Sequence, residues 1–282
     1  MFKKLRESGL GVRVFDFLAK ARLDGLALRL IHGGDMRRSR VFFRKHAQRV
    51  DHVCEALADA ESREVFRAAI AFRQSYARKN APAHEPEQYF PRDVVRLSDH
   101  EVFVDCGAFT GDTVERFVAA AGGCHAGIVC FEPDPENFNR LSRNPAAADA
   151  VLVKAGVWSE AATLRFSSGK GAGSKVSDGV GHASLEVKAI DEVPECEGAT
   201  FIKMDVEGAE LHALRGAART IAKNRPVLAV SIYHSDEDML AIPEYLMGTL
   251  ERYVFHVRHH SLNWQDTVMY AVPIGWRCAE ME

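Results

Sequence analysis

The chain has 282 residues, 47% of them apolar and 27% charged, with a net charge of −3. That size suits one large domain, or a catalytic domain with an appendage. The balance excludes a disordered chain, a collagen-like repeat and a long coiled coil. No apolar run approaches the roughly 18 residues a membrane span needs. The start, MFKKLRESGLGVRVFDFLAKA, is interrupted by Arg13 and Asp16 and does not read as a secretory signal. Six cysteines without a CxxC pair read as reduced thiols, so the expected compartment is cytoplasmic.

Charge divides the chain. Residues 1–80 carry 18 Lys and Arg against 9 Asp and Glu, and the remainder carries 18 against 30. The basic part has apolar clusters at helical spacing, such as Val53 and Leu57, then Val65, Phe66, Ala69 and Ile70. Breaks are expected at Gly33-Gly34 and at Asp59–Ser62, where DAES offers a helix N-cap. Residues 1–80 therefore read as a helical extension, either a cap or an element of a homo-oligomer. No helix there has the long, clean apolar face of a membrane-surface helix. Aromatics are not interleaved with the basic residues as nucleic-acid stacking requires, so neither partner is expected. APAHEPEQYFP follows, with three prolines in eleven residues, and makes residues 81–100 a connector.

Beyond residue 100 short apolar runs alternate with helical segments. The runs are VFVD (102–105), IVCFE (128–132), AVLV (150–153), TFIKMD (200–205) and VLAVSI (227–232). They are continuous, as strands buried on both faces should be. Val114, Phe117, Val118 and Ala121, and later Leu211, Leu214, Ala218 and Ile221, keep a helical step. The alternation predicts an α/β fold with a doubly wound parallel sheet over residues 101–282. YVFHVRHH (253–260) and DTVMYAVP (266–273) lack a helix between them and read as an antiparallel pair at the sheet edge. TLRFSS and SLEVKAI are strand-like and flank GKGAGSKVSDGVG, which has five glycines in thirteen residues. That stretch, 169–181, is expected to be a hairpin tip or a lid over the acceptor.

The main chemical signal is VFVDCGAFTGDT (102–113). A strand ends in Asp105, Gly107 and Gly111 follow, and a helix begins near Asp112. Glycines let the backbone bend and approach a ligand, and the helix start offers free N–H groups. The spacing is DxGxxxG. An acid before the first glycine is poorly placed for a pyrophosphate and suits a cationic amine, such as that of S-adenosylmethionine. Glu132 ends the second run 21 residues after Gly111, where a ribose-binding carboxylate is expected. Asp205 ends the fourth run and Glu207 follows it, both at the edge where open α/β sheets bind ligands. Glu207 also suits a helix N-terminus. Of the histidines near strand ends, His234 ranks ahead of His259 and His260, because it closes the fifth run beside Asp205.

These motifs together resemble the FkbM-type family of S-adenosylmethionine-dependent methyltransferases. The resemblance covers roughly residues 88–273 and includes VDCGAFTGDT, FEPDPENF, LEVKAIDEV, FIKMDVEGAELHALRGA, RPVLAVSIYH and the closing YVFHVRHHS and DTVMYAVP. It implies a class I methyltransferase (Rossmann-like) sheet of seven strands, the last antiparallel. It implies that Asp105, Gly107, Thr110 and Gly111 cradle the methionyl part and that Glu132 holds the ribose. Asp134 or AGVW (155–158) then flanks the adenine, and Gln88 and Tyr89 touch the cofactor. The implied reaction is O-methylation of a sugar or glycan-type acceptor. A weakly acidic hydroxyl needs a base or a cation, so Asp205 or His234 is expected to take its proton. In a variant, Asp205, Glu207 and His234 hold Mg²⁺ or Mn²⁺. A nicotinamide-dependent sugar oxidoreductase or epimerase shares the strand-two carboxylate, but DxGxxxG and the lack of YxxxK after the fourth run argue against it. A non-catalytic module docking through residues 1–80 is the other alternative.

Overall fold

The computed structural model describes residues 33–167 and 182–276. The glycine-rich stretch expected to be a hairpin tip or lid lies outside the described residues, as does the start of the helical extension. Helices α1 (Gly33–Lys45), α2 (Ala47–Ala56) and α3 (Ala60–Ser75) come first. Gly33 and Gly34, read as a break, are helical. Asp59 caps α3 as expected: its carboxylate accepts the Ser62 N–H at 2.5 Å.

The α/β part follows as β1 (Val102–Cys106), α4 (Asp112–Ala120), β2 (Gly127–Phe131), α5 (Pro135–Leu141) and β3 (Val151–Val153). Next come β4 (Gly156–Val157), β5 (Ala162–Ser167), β6 (His182–Lys188), β7 (Phe201–Met204), α6 (Glu210–Gly216) and α7 (Ala218–Asn224). The chain closes with β8 (Val227–Ser231), α8 (Asp238–Thr249), β9 (Tyr253–His259) and β10 (Thr267–Pro273). Seven strands form one sheet in the order β3-β2-β1-β7-β8-β10-β9. The first five are parallel, and β10 runs antiparallel to both of its neighbours. This is the seven-stranded, mostly parallel class I methyltransferase sheet with an N-terminal helical region. The hairpin expected around residues 163–190 belongs to a separate three-stranded sheet, β4-β6-β5.

Every residue of β7 and β8 is buried, as their unbroken apolar runs require. The edges depart from that pattern: Val151 of β3 is exposed, and β9 begins with alternating burial. The open edge of β9 is covered by the chain before the sheet. Ala58 donates to the Phe255 carbonyl at 2.9 Å, Ser62 Oγ accepts from the Val257 N–H at 3.0 Å, and Glu85 donates to the His259 carbonyl at 2.7 Å. Covering an edge in this way removes a template for unwanted pairing. One face of the sheet buries Phe43, Val53, Leu57, Phe66 and Ile70 of the helical region with α6–α8. The other buries an aromatic group, Phe90, Phe103, Phe117 and Phe201, with ring centroids 4.4–5.8 Å apart. Among the described residues no helix is long and apolar enough to cross a membrane.

From β1 the chain winds outward to β2 and β3, then returns on the other side as β7 and β8. The carboxyl ends of β1 and β7 therefore meet where the winding reverses, and that is where open α/β sheets bind ligands.

Candidate functional site at the carboxyl ends of the strands

Asp105 is fully buried and faces Lys203 across the β1–β7 register. Lys203 Nζ donates to Asp105 Oδ1 at 2.9 Å, to the Gly107 carbonyl at 2.8 Å and to the Cys106 carbonyl at 3.3 Å. Burial works against the Lys203 charge, but Asp105 and Asp205 outweigh it and raise its pKa. Asp105 Oδ2 is buried and has no hydrogen-bond partner among the described residues. A buried acceptor left open at a strand end fits a cationic donor. Gly107 takes φ +86°, and a Cβ there would stand 2.0 Å from the Asp205 carbonyl. This glycine is demanded by the approach of the β7 end to the β1 turn. Gly111 has φ +92°, and a Cβ would meet Asn144 Nδ2 at 2.6 Å. Thr110 holds the same asparagine, its carbonyl accepting from Asn144 Nδ2 at 3.0 Å.

Glu132 is buried just beyond β2. Its Oε2 accepts the Phe109 N–H at 2.8 Å and its Oε1 accepts the Asp134 N–H at 2.8 Å. Burial raises its pKa, and those two N–H groups oppose the rise. A carboxylate has about four lone-pair sites, so two remain for a diol. Phe109 is half exposed in a left-handed turn at φ 50°. Asp134 is exposed and caps α5 through the Glu136 and Asn137 N–H groups. Gln88 accepts from Arg116 at 2.7 Å. Tyr89 is 3% exposed, and its hydroxyl donates to Asp205 Oδ2 at 2.7 Å. The structure thus places Tyr89 beneath Asp205.

Asp205 receives more than Tyr89. The Tyr233 hydroxyl lies 3.2 Å from Oδ1, and His234 Nε2 lies 3.3 Å from it. Burial pushes the Asp205 carboxyl up, but His234, Lys203 and Tyr89 win and hold it well below the usual range. His234 also has Nδ1 3.2 Å from Glu210 Oε1. Burial alone would lower the imidazole's pKa; Asp205 and Glu210 raise it to about 10. Among the described residues neither ring nitrogen of His234 makes an aligned hydrogen bond, although both carboxylates stand at ion-pair distance. The attraction is therefore charge rather than a formed N–H···O bond. Glu207 sits at φ 56° with its side chain 77% exposed, 3.7 Å from His234 Nε2.

His259 and His260 are otherwise occupied. His259 bridges the Thr267 hydroxyl and the Asn263 carbonyl, both at 2.9 Å. His260 bridges the Glu85 carbonyl at 2.7 Å and the Tyr270 hydroxyl at 2.8 Å. Burial pushes both rings down to about 4. Trp158, the end of AGVW, stacks on His212 at 3.6 Å. Three residues of the site escaped the sequence reading: Lys203, Glu210 and Tyr233. Lys203 carried a usable signal, a charge inside the apolar run FIKM. Glu210 resembled an ordinary first-turn acid.

A family model described as the methyltransferase FkbM domain matches residues 105–257, more than half of the chain. The chain belongs to the FkbM methyltransferase family. The matched part of this family member begins at Asp105 and includes Glu132, Asp205 and His234. The hexuronic acid methyltransferase AglP of Haloferax volcanii is 26% identical over 142 residues, which are 46% of this chain and 57% of that protein. The crystal structure of methyltransferase FkbM from Methylobacillus flagellatus KT is similar at a TM-score of 0.70 and 26% identity, over 82% of this chain and 60% of that one. The chain thus spans about three fifths of the length of these two relatives.

Proposed function

We propose that the chain transfers the methyl group of S-adenosylmethionine to a hydroxyl of a sugar or glycan-type acceptor. The observation that carries this is the open Oδ2 of buried Asp105 at the end of β1, flanked by β2, which leads into Glu132, and β7, which leads into Asp205, in a member of this family. Asp105, Gly107, Thr110 and Gly111 receive the methionyl part, with Asp105 Oδ2 taking a hydrogen bond from its ammonium. Glu132 uses its free lone pairs for the ribose diol, and Asp134 flanks the adenine. Gln88 lines the entrance through Arg116. The similarity to a protein named for hexuronic acid supports a carbohydrate acceptor.

The cofactor supplies a methyl carbon already activated by a sulfonium. The protein must then align the acceptor oxygen with the carbon–sulfur axis, a positioning worth several kcal/mol of barrier. Asp205, kept a weak base by His234 and Lys203, orients the acceptor hydroxyl by accepting its hydrogen bond, and the proton leaves to water as the oxygen bonds to the methyl carbon. Bound there, the cofactor would release its sulfur as a neutral thioether that keeps the carbon–sulfur electron pair. Glu207, on the solvent side, contacts the incoming sugar. A divalent cation beside Asp205 would lower the hydroxyl pKa and serve the same step. Free thiols at Cys54, Cys106, Cys124, Cys130 and Cys196 suit a cytoplasmic setting.

Calorimetric titration with S-adenosylhomocysteine tests the reading, with NAD as control. Micromolar binding of the former alone is expected, weakened at least about tenfold in Glu132→Ala, a loss of ~1.4 kcal/mol. Binding of NAD instead, or of neither, would remove the proposal.

A further inference from the structure

We infer that Asp205, Glu210 and His234 form a divalent-cation site of the Mn²⁺/Mg²⁺ class, and that the acceptor hydroxyl binds to that cation. The inference rests on the methyltransferase reading above and specifies how the acceptor is held. One carboxylate oxygen from each acid and one ring nitrogen of His234 lie within 4.8 Å of one another. An octahedral cation with ligands at ~2.1 Å places opposite ligands ~4.2 Å apart. The three side chains therefore need to tighten by less than an ångström.

Two independent features point to a ligand there. Glu210 is fully buried and spends Oε1 on the Val206 N–H at 2.8 Å, yet its Oε2 has no partner among the described residues. His234 is nine-tenths buried between two carboxylates and, among the described residues, has no aligned hydrogen bond at either nitrogen. Buried polar atoms are rarely left so, and a metal ion in place of one ring proton would give a partner to Glu210 Oε2 and to one nitrogen of His234. Charge agrees. Glu207, Asp238 and Asp266 add negative charge beside this group, the last two partly buried, while Lys203 is committed to Asp105. Two carboxylates and one imidazole suit Mn²⁺ or Mg²⁺ better than an all-oxygen Ca²⁺ cage. Glu207, which the sequence put in this set, is replaced by Glu210. Its exposed carboxylate stands on the solvent side, where the acceptor enters.

The test is a Mn²⁺ titration of the whole chain, followed by electron paramagnetic resonance. One Mn²⁺ per chain is expected, with nitrogen modulation from a bound imidazole in the wild-type spectrum. Glu210→Gln keeps an acceptor for Val206 and should weaken Mn²⁺ at least about tenfold, while Glu207→Gln should change it less than about threefold. Binding of S-adenosylhomocysteine by each variant confirms that it is folded. Should Glu210→Gln fail that check, the wild-type nitrogen modulation alone decides. No Mn²⁺ binding at millimolar concentration, or binding without nitrogen modulation, overturns the site. If S-adenosylhomocysteine binds and Mn²⁺ does not, the cation inference falls and the methyltransferase reading stands. If Mn²⁺ binds as described and S-adenosylhomocysteine does not, the cation site stands and the reading it was attached to falls.

Discussion

Lys203 stands within a fully buried strand, and its charge is tolerated because Asp105 faces it in register. Breaking a buried pair by removing one partner strands the other charge, at ~3–5 kcal/mol. Lys203→Met should therefore lose about that much in urea unfolding. Adding Asp105→Asn should return most of it, because the stranded charge goes too. If the double variant is as unstable as the sum of the two singles, the pair is not what holds these strand ends. Tyr89 offers a cleaner functional test. Its hydroxyl reaches Asp205 and not the β1 cradle, so Tyr89→Phe should keep S-adenosylhomocysteine affinity within about twofold. Turnover should fall by roughly 10–100-fold, the worth of one hydrogen bond to a charged group. A variant that loses affinity and keeps turnover would return Tyr89 to the cofactor. At this scale the sequence exposes single chemical oddities, such as a lysine in FIKM. It does not expose their partners, because Asp105 and Lys203 meet only once the register of two strands 98 residues apart is set.

Elements were legible where one period governs the chain. The five apolar runs became β1, β2, β3, β7 and β8 within a residue or two, and the closing pair became β9 and β10. The helical step through Leu211, Leu214, Ala218 and Ile221 did not make one helix: α6 ends at Gly216 and α7 begins at Ala218. A Cβ at Gly216 would lie 2.0 Å from the Trp158 carbonyl. A contact from the second sheet thus sits at the break, and no local period reports it. The N-terminus of α3 shows the reverse, a local signal with a distant use. DAES marks a cap, but Asp59 also meets His256 at 2.5 Å and Arg258 at 3.2 Å on β9, and Arg258 meets Asp93 at 2.5 Å. Burial raises the Asp59 pKa, but the Ser62 N–H, His256 and Arg258 override it and hold it well below an ordinary aspartate. A carboxyl whose pKa is depressed by folding stabilises the native state above its unfolded value, ~3.9, and loses that contribution as pH falls toward the folded value. Melting temperatures from pH 6 to pH 2 should fall more steeply below about pH 4 in the wild type than in Asp59→Asn, which keeps the cap and drops the charge. Parallel curves would mean that Asp59 does not fasten α3 to β9.

At the scale of the whole molecule, the composition shift near residue 80 placed a boundary that the core does not respect. Charge patterning describes the surface, whereas cooperative folding follows shared apolar burial. Phe43, Val50, Val53, Leu57, Val65, Phe66 and Ile70 lie in one cluster with Val104, Ile202, Val230 and Val257 of the sheet. The likeness to the Methylobacillus flagellatus structure covers 82% of the chain, more than residues 101–282 can supply. We propose that residues 33–276 fold as one unit. With their apolar faces used on this chain's own sheet, α1–α3 leave outer surfaces such as exposed Val41 for any second copy. Each of the seven buried side chains is worth ~1.5–3 kcal/mol. Their gross sum, ~10–20 kcal/mol, is of the same order as the ~5–15 kcal/mol of net stability of a typical domain. Removing residues 1–80 also uncovers the Phe255 carbonyl and the Val257 N–H on the β9 edge. A chain beginning at residue 81 should therefore aggregate, or melt without a cooperative transition in circular dichroism, and should not bind S-adenosylhomocysteine. A cooperative melt within a few degrees of the full chain, with that binding intact, would restore the boundary at 80. It would make α1–α3 a separable cap.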